Sequence, residues 1–394
     1  MNILFVFWKM LNPTTGGIER VTDLLCRKFM QRGHRVWYLN SPDDKSPEYD
    51  YPASVSLFPR SRKWQEPECP ENIDYYNKFL KDKNIDIVII QDLNYFQDII
   101  THGTPSVGTK VITVLHSNPL YRYKNIYKAA LSQCRDWRAV KRLPWELKWA
   151  YEKRKKALKK YRTVYADTMA HVDAFCMLSM HYLPELCSVY HGDTGKVIAI
   201  PNPNTYEVQD DVCIKHKKKQ LLYVGRLDPL QKRVDRVLSL WKRVYKDFED
   251  WELIIVGDGP QAEELKRMAS TLDRVRFAGR QDPAPYYRDA SILCLTSDYE
   301  GWAMVLPEAM TFGTVPVLFD SYCAAAELVI DNETGMLVKP FSMKQFERRL
   351  RLLMSDGTLR RQMSHNGMKH IGQFDIDSIA DLWESLFKRL SKRH

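Results

Sequence analysis

Two similar α/β halves, each built on a parallel sheet, are the architecture this chain predicts. At 394 residues it is longer than one hydrophobic core serves, which favours two domains of ordinary size. Short apolar runs alternate with helical periodicities, the pattern of a parallel sheet covered by helices on both faces. A polar stretch with two prolines, PNPNTYEVQDDVCIKHKKK, interrupts that alternation over residues 201–219, and the alternation then restarts.

The elements follow in order. In the first half, NILFVF, HRVWYL, DIVII, KVITVL and AFCML are short and rich in β-branched or aromatic residues, as strands are. A helical pattern over residues 18–31 follows the first of them. After the interruption come QLLYVG, WELIIVG, RVRFAG, SILCLT and VPVLF. The tail over residues 377–394 reads as one amphipathic helix with Trp383 and Phe387 on its apolar side. The expected organisation is therefore a first domain over 1–200, a linker over 201–219, a second domain over 220–376 and a final helix over 377–394. No short tandem repeat is visible, so a solenoid is not expected.

Composition narrows the class. Hydrophobic residues make up 44% and charged residues 27%, values typical of a globular protein. No run of 18 uncharged apolar residues is present to span a bilayer. The opening MNILFVFWKM carries neither a basic leader nor a small-residue cleavage site and reads as a strand, so a cytoplasmic protein is expected. The eight cysteines form no CxxC pair and several lie in apolar runs, so reduced thiols are expected rather than disulfides or a zinc site. Asp375 and Asp377 form the one conspicuous pair of aspartates spaced by two, and helix capping explains them better than a divalent metal.

The net charge of +10 is concentrated. Residues 121–162 carry fifteen Lys or Arg against Asp136, Glu146 and Glu152, with Trp137, Trp145 and Trp149 among them. Basic helical sequence with aromatic edges suits an anionic membrane surface, and a solvated helical face is the plain alternative. Nucleic acid is not expected as a partner, because no zinc-finger or recognition-helix pattern accompanies the charge.

Three local patterns could carry chemistry. Glu300 and Glu308 bracket EGWAMVLPE, where an acidic loop runs into a short helix between two apolar strands. In an open parallel sheet ligands bind beyond the carboxyl ends of strands, which places this loop at a ligand, with amides from Gly301 to Val305 favouring an anion. Acids at a helix start are also ordinary. Gly16 and Gly17 separate the first strand from the first helix, either to let the backbone approach a phosphate or as a tight turn. The turn is not GxGxxG and no acid ends the second strand, which argues against a dinucleotide cofactor. Arg226 follows QLLYVG and Lys232 stands six residues later at a helix start, with Arg233 beside it. An arginine fork and a lysine point charge could clamp a diphosphate without metal, although surface cations need no ligand.

The segments GGIERV, PNP, YVGRLDPLQKR, IIVGDGP, RFAG and DYEGWAMVLPEAMTFGTVPV occur in the order seen in retaining glycosyltransferases of family 4. The chain resembles that family over nearly its whole length, most strongly over residues 221–338. The resemblance implies the GT-B fold, two Rossmann-like domains facing across a cleft, with the donor held mainly by the second and the final helix returning to the first. It implies that Arg226 and Lys232 neutralise the donor diphosphate and that Gly16 or Gly17 approaches it. By the same resemblance Glu308 holds the ribose hydroxyls and Glu300 contacts the transferred sugar, with the backbone of Gly301, Trp302, Ala303, Met304 and Val305 contributing amides. His116, which follows KVITVL, would line the sugar or acceptor side. The catalytic set is then His116, Glu300, Arg226 and Lys232. Where the family has lysine then glycine, this chain has Lys232 and Arg233.

The implied reaction moves a sugar from a nucleotide-diphosphate sugar, UDP by default, to a glycan or lipid-linked acceptor with retention at the anomeric carbon. A donor phosphate oxygen would take the acceptor proton, so the two glutamates bind and position rather than act as an acid and base pair. Neither cofactor nor metal is expected. The setting implied is surface polysaccharide or lipopolysaccharide synthesis, peripheral to the inner face of the cell membrane through residues 121–162. A nucleotide-sugar hydrolase or epimerase, or a noncatalytic membrane scaffold, could use the same fold.

Overall fold

The computed structural model describes residues 1–42, 49–61, 69–106, 108–120, 126, 143–207 and 217–392. The chain divides into two compact units, Met1–Thr205 with Ile376–His394, and Tyr206–Asp375. The expected linker over 201–219 straddles this division, and residues 208–216 lie outside the described ones.

The first unit holds β1 (Asn2–Phe7), β2 (Arg35–Asn40), β3 (Ser54–Leu57), β4 (Ile87–Ile90), β5 (Lys110–Leu115), β6 (Ala174–Met177) and β7 (Val197–Ala199). All pair in parallel, in the order β3-β2-β1-β4-β5-β6-β7. Its described helices are α1 (Gly17–Gln31), α2 (Pro70–Asp82), α3 (Gln97–His102), α4 (Leu143–His171) and α5 (Leu183–Cys187). β4 is buried along its whole length and β1 from its second residue onward, which is why their sequences are apolar without alternation. α1 places Val21, Leu25 and Phe29 on one buried face, and Phe29 stacks on Phe5 of β1 with ring centroids 6.3 Å apart.

The second unit repeats the plan with β8 (Lys218–Val224), β9 (Glu252–Val256), β10 (Val275–Gly279), β11 (Ala290–Leu295), β12 (Val315–Phe319) and β13 (Met336–Val338). These too are all parallel, in the order β10-β9-β8-β11-β12-β13. Its helices are α6 (Val234–Val244), α7 (Ala262–Ala269), α8 (Ala284–Asp289), α9 (Val305–Thr311), α10 (Ala325–Leu328), α11 (Met343–Ser355) and α12 (Gly357–Ile371). Trp241, Trp251, Ile255 and Phe346 are fully buried between sheet and helices, and the Trp241 indole donates to Asp273 O at 3.0 Å.

In each sheet the winding reverses beside the first strand: β1 lies between β2 and β4, and β8 between β9 and β11. The crevice at the carboxyl ends of such a strand pair is where open α/β sheets bind ligands. The last helix, α13 (Ile376–Ser391), belongs to the first unit, where Phe387 meets Phe29 edge-on at 5.5 Å. Asp377 pairs with Lys28 and Arg32 of α1, each at 2.9 Å.

Candidate functional site

In the second unit the site is built at the exits of β8, β9 and β11. β8 runs into Gly225, whose φ of +147° is reached without strain by glycine. A Cβ on Gly257, at the exit of β9, would lie 1.9 Å from Gly225 O, so backbone touches backbone and no side chain fits between. The loop from 225 to 233 is then shaped by Asp228, whose Oδ1 accepts from the amides of Leu230 and Gln231 at 2.9 and 2.8 Å. The Asp298 amide donates to Gln231 O at 2.8 Å and fixes this loop against the exit of β11.

That geometry brings Lys232 and Glu300 together. Lys232 Nζ donates to Glu300 Oε1 at 2.7 Å, and Gln231 Nε2 donates to Glu300 Oε2 at 3.2 Å. Both charges are withdrawn from water, with side-chain exposures of 18% for Lys232 and 6% for Glu300. Arg226 stands apart: its side chain is 61% exposed and meets Asp228 Oδ2 at 3.1 Å. Each of the two expected clamp cations is thus paired with a carboxylate, Lys232 half-buried and Arg226 exposed to solvent.

Arg233 adopts φ +52°, the left-handed region. Glycine holds that conformation without a Cβ penalty, which accounts for the glycine in the family pattern at this place. Arg233 is held in it by Asp235 at 2.8 Å and Asp298 at 3.7 Å. Asp298, which the sequence reading passed over, is nearly fully buried, and Arg236 donates to it at 2.6 Å and to Thr296 O at 3.1 Å.

Glu308 lies on α9 and has a different partner. It is 4% exposed, and its Oε2 accepts from the Tyr287 hydroxyl of α8 at 2.9 Å. The turn over residues 301–304 leads into α9. Trp302 is buried edge-on against Phe374 at 5.3 Å and Ala303 is buried too, so the side chains there serve packing. Gly301, Met304 and Val305 are half-buried.

In the first unit, Gly16 caps α1 and Gly17 opens it. Gly16 is extended, a conformation any residue adopts, and a Cβ there would lie 2.4 Å from Glu19 Oε2, the far end of a side chain that could move aside. Glu19 is buried, pairs with Lys9 at 2.5 Å and accepts from Thr15 Oγ1 at 3.3 Å. The amide end of α1 is thereby already faced by a carboxylate. His116, just past β5, shares 2.5 Å with Oε1 of Gln91, just past β4. Burial pushes the imidazole down to about 3, so the ring is neutral at pH 7. A neutral ring donates from Nε2 to Gln91, which leaves Nδ1 a buried acceptor with no hydrogen-bond partner among the described residues. No sequence pattern marks Gln91, because a glutamine after an apolar strand has no signature of its own.

Among the described residues, no group of three His, Cys, Asp or Glu stands close enough to hold a metal ion. The six described cysteines, 26, 69, 176, 187, 294 and 323, are free thiols, while 134 and 213 lie outside the described residues. No described helix is long and apolar enough to cross a membrane.

Two family models match, end to end. The model described as Glycosyltransferase Family 4 matches residues 15–203, and the one described as Glycosyl transferases group 1 matches residues 207–370. This chain belongs to the family 4 glycosyltransferases.

Relatives of this glycosyltransferase chain agree in kind. An uncharacterized glycosyltransferase of Haemophilus influenzae is 34% identical over 197 residues, 49% of this chain and 55% of that protein. The amylovoran biosynthesis glycosyltransferase AmsD of Erwinia amylovora is 30% identical over 196 residues, 49% of this chain and 54% of that one. The match thus spans about half the length of these curated relatives. Anabaena HepE, solved in complex with UDP, shares the fold with a TM-score of 0.72 at 15% identity, over 99% of this chain and 100% of that one. The fold class is α/β of the GT-B kind, with two Rossmann-like units.

Proposed function

We propose that this chain transfers a sugar from a nucleotide-diphosphate sugar, with UDP as the nucleotide, to an acceptor hydroxyl with retention at the anomeric carbon. The pair of half-buried Lys232 with buried Glu300, tied to Gln231 at the exits of β8 and β11, is the observation that carries this reading. It sets a fixed ammonium at a topological switch point, with exposed Arg226 on the same loop. As the bond to the leaving diphosphate breaks, charge develops on its oxygens, and preorganised cations stabilise that state more than the ground state. One such donor is worth about 3 kcal/mol. Glu300 holds Lys232 in place and offers its carboxylate to sugar hydroxyls, Glu308 on α9 takes the ribose, and neutral His116 contributes a polar contact rather than a proton. Because arginine and lysine supply the positive charge, the reaction proceeds without a divalent metal.

The acceptor is a glycan or a lipid-linked glycan of surface polysaccharide or lipopolysaccharide synthesis, a setting in keeping with the relative named for amylovoran biosynthesis. The protein works in the cytoplasm, docked peripherally on the inner membrane face. The described part of the basic region favours this docking: on α4, Trp145, Trp149 and Tyr151 are exposed by 74%, 49% and 57%, among exposed Lys148, Lys153, Lys155 and Lys156. Trp137 and residues 127–142 lie outside the described residues.

Calorimetric titration with a panel of nucleotide diphosphates and nucleotide sugars, in excess chelator, tests the donor site. One nucleotide sugar should bind tightly, and both Glu308→Ala and Arg226→Ala should weaken it by roughly tenfold or more. No binding, or binding that ignores both substitutions, would reduce the family likeness to a shared fold.

A further inference from the structure

At the opposite edge of the second sheet, where its strands begin, a void of about 60 Å³ opens among Lys217, Ser291, Gly313, Arg360, Arg361 and Ser364. Lys217 immediately precedes β8, Ser291 is the second residue of β11, and the other three polar residues lie on the first two turns of α12. A water needs roughly 10–15 Å³ of such space, so the void is large enough for a few waters or one tetrahedral oxyanion. Its walls carry three cations and two hydroxyls, and none of the residues lining it is a carboxylate.

The partners of these cations position them without neutralising them. Lys217 Nζ donates to Tyr287 O at 2.6 Å and to Thr314 Oγ1 at 3.0 Å. Arg360 donates to Met354 O at 3.0 Å and lies over the Trp251 ring at 5.0 Å, and Arg361 donates to Thr358 Oγ1 at 2.9 Å. An ammonium has three donors and a guanidinium five, so each cation keeps donors beyond these bonds. The neighbouring carboxylates are engaged elsewhere. Asp289 pairs with Lys218 at 2.8 Å, and Asp356 accepts from the Thr358 and Leu359 amides at the start of α12.

We propose that this void is a binding site for a phosphoryl-sized anion, either inorganic phosphate or the phosphate of a small phosphomonoester, held by Lys217, Arg360 and Arg361. It is separate from the donor site, which lies at the other ends of the same strands. Burial takes the Lys217 ammonium down to about 7, with Arg288 of α8 adding to that and Asp289 opposing it. Arg360 is also held below its usual range, by burial first and then by Arg361. A bound anion favours charged Lys217 and raises its pKa. Below pH 7 the lysine is already protonated. Above it, binding takes up a proton, so affinity falls as pH rises. Sulfate does not titrate in this range and isolates the effect from phosphate's own protonation.

Calorimetric titration of the intact protein with inorganic phosphate and with sulfate tests the proposal. The expected result is one binding event, weakened roughly tenfold in both Arg361→Gln and Lys217→Gln and unchanged in Arg226→Ala. Sulfate affinity should fall several-fold between about pH 6 and about pH 8.5. Binding to phosphatidic acid vesicles should be the same in wild type and Arg361→Gln, which separates free phosphate from a lipid headgroup. Loss of phosphate binding in Arg226→Ala, indifference to Arg361→Gln, or vesicle binding that depends on Arg361 in the absence of phosphate binding would overturn it. Arg361 is exposed, so its variant carries the test should Lys217→Gln fail to fold.

Discussion

Asp298 and the two arginines around it separate two kinds of charge at this site. Arg233 sits at φ +52°, a conformation that costs a non-glycine residue roughly 1–2 kcal/mol, and its pair with Asp235 is part-exposed and worth at most about 1 kcal/mol. Arg233→Gly should therefore change unfolding free energy by less than about 1 kcal/mol in a denaturant titration. Arg236→Ala should be far worse, by about 3–5 kcal/mol, because it strips a 2.6 Å partner from a carboxylate that is 3% exposed. A loss for Arg236→Ala as small as that for Arg233→Gly would mean that Arg233 alone suffices to hold Asp298. The same local logic explains His116. Its position after a strand was legible in the sequence, but its neutrality comes from burial, and its contact with Gln91 comes from the neighbouring strand's exit, and neither could be read there.

At the scale of elements, strands with continuous apolar runs were legible, and β3, β7 and β13 were not. SVSL alternates serine with apolar residues and is partly exposed, while VIA and MLV are apolar but only three residues long, too short to mark a strand. The final helix was visible as an amphipathic pattern because Trp383 and Phe387 recur on one face, and both are buried in α13. Phe387 is fully buried against Phe29, so Phe387→Ala should cost about 3–5 kcal/mol, as removal of a core aromatic does. Arg32→Ala removes pairs to Asp377 and Asp381, which are 61% and 70% exposed, and a longer one of 3.6 Å to Glu384, and should cost only about 1 kcal/mol. Equal effects in thermal melts would show α13 to be held by charge rather than by its apolar face. α8 and α9 add a link that local pattern could not supply. The Tyr287 hydroxyl reaches Glu308 while its carbonyl accepts from Lys217, so one residue bridges the candidate donor carboxylate and the cationic void.

For the molecule as a whole, charge is the property that sequence composition shows best and structure refines. Fifteen cations in residues 121–162 gave the sign and the place, and α4 shows tryptophans exposed beside them, one with the Lys153 ammonium 4.2 Å from its ring centroid. Binding should be strong on vesicles with anionic lipid, weak on neutral ones, and reduced by salt, since screening at 0.15 M acts over about 8 Å. Equal binding to both in a flotation assay would remove membrane docking from the proposal. By itself the sequence determined the alternation of strands and helices, the division into two units and the family, because burial on both faces of a sheet and the motifs at strand exits are written in contiguous residues. Only the tertiary structure decided which side chains meet. Lys232 finds Glu300 across 68 residues, Arg236 finds Asp298 across 62, His116 finds Gln91 across 25 and Tyr287 finds Glu308 across 21. Those distances in sequence close because β8 lies beside β11 and β4 beside β5, and strand order is fixed by how the whole sheet packs rather than by any local run of residues.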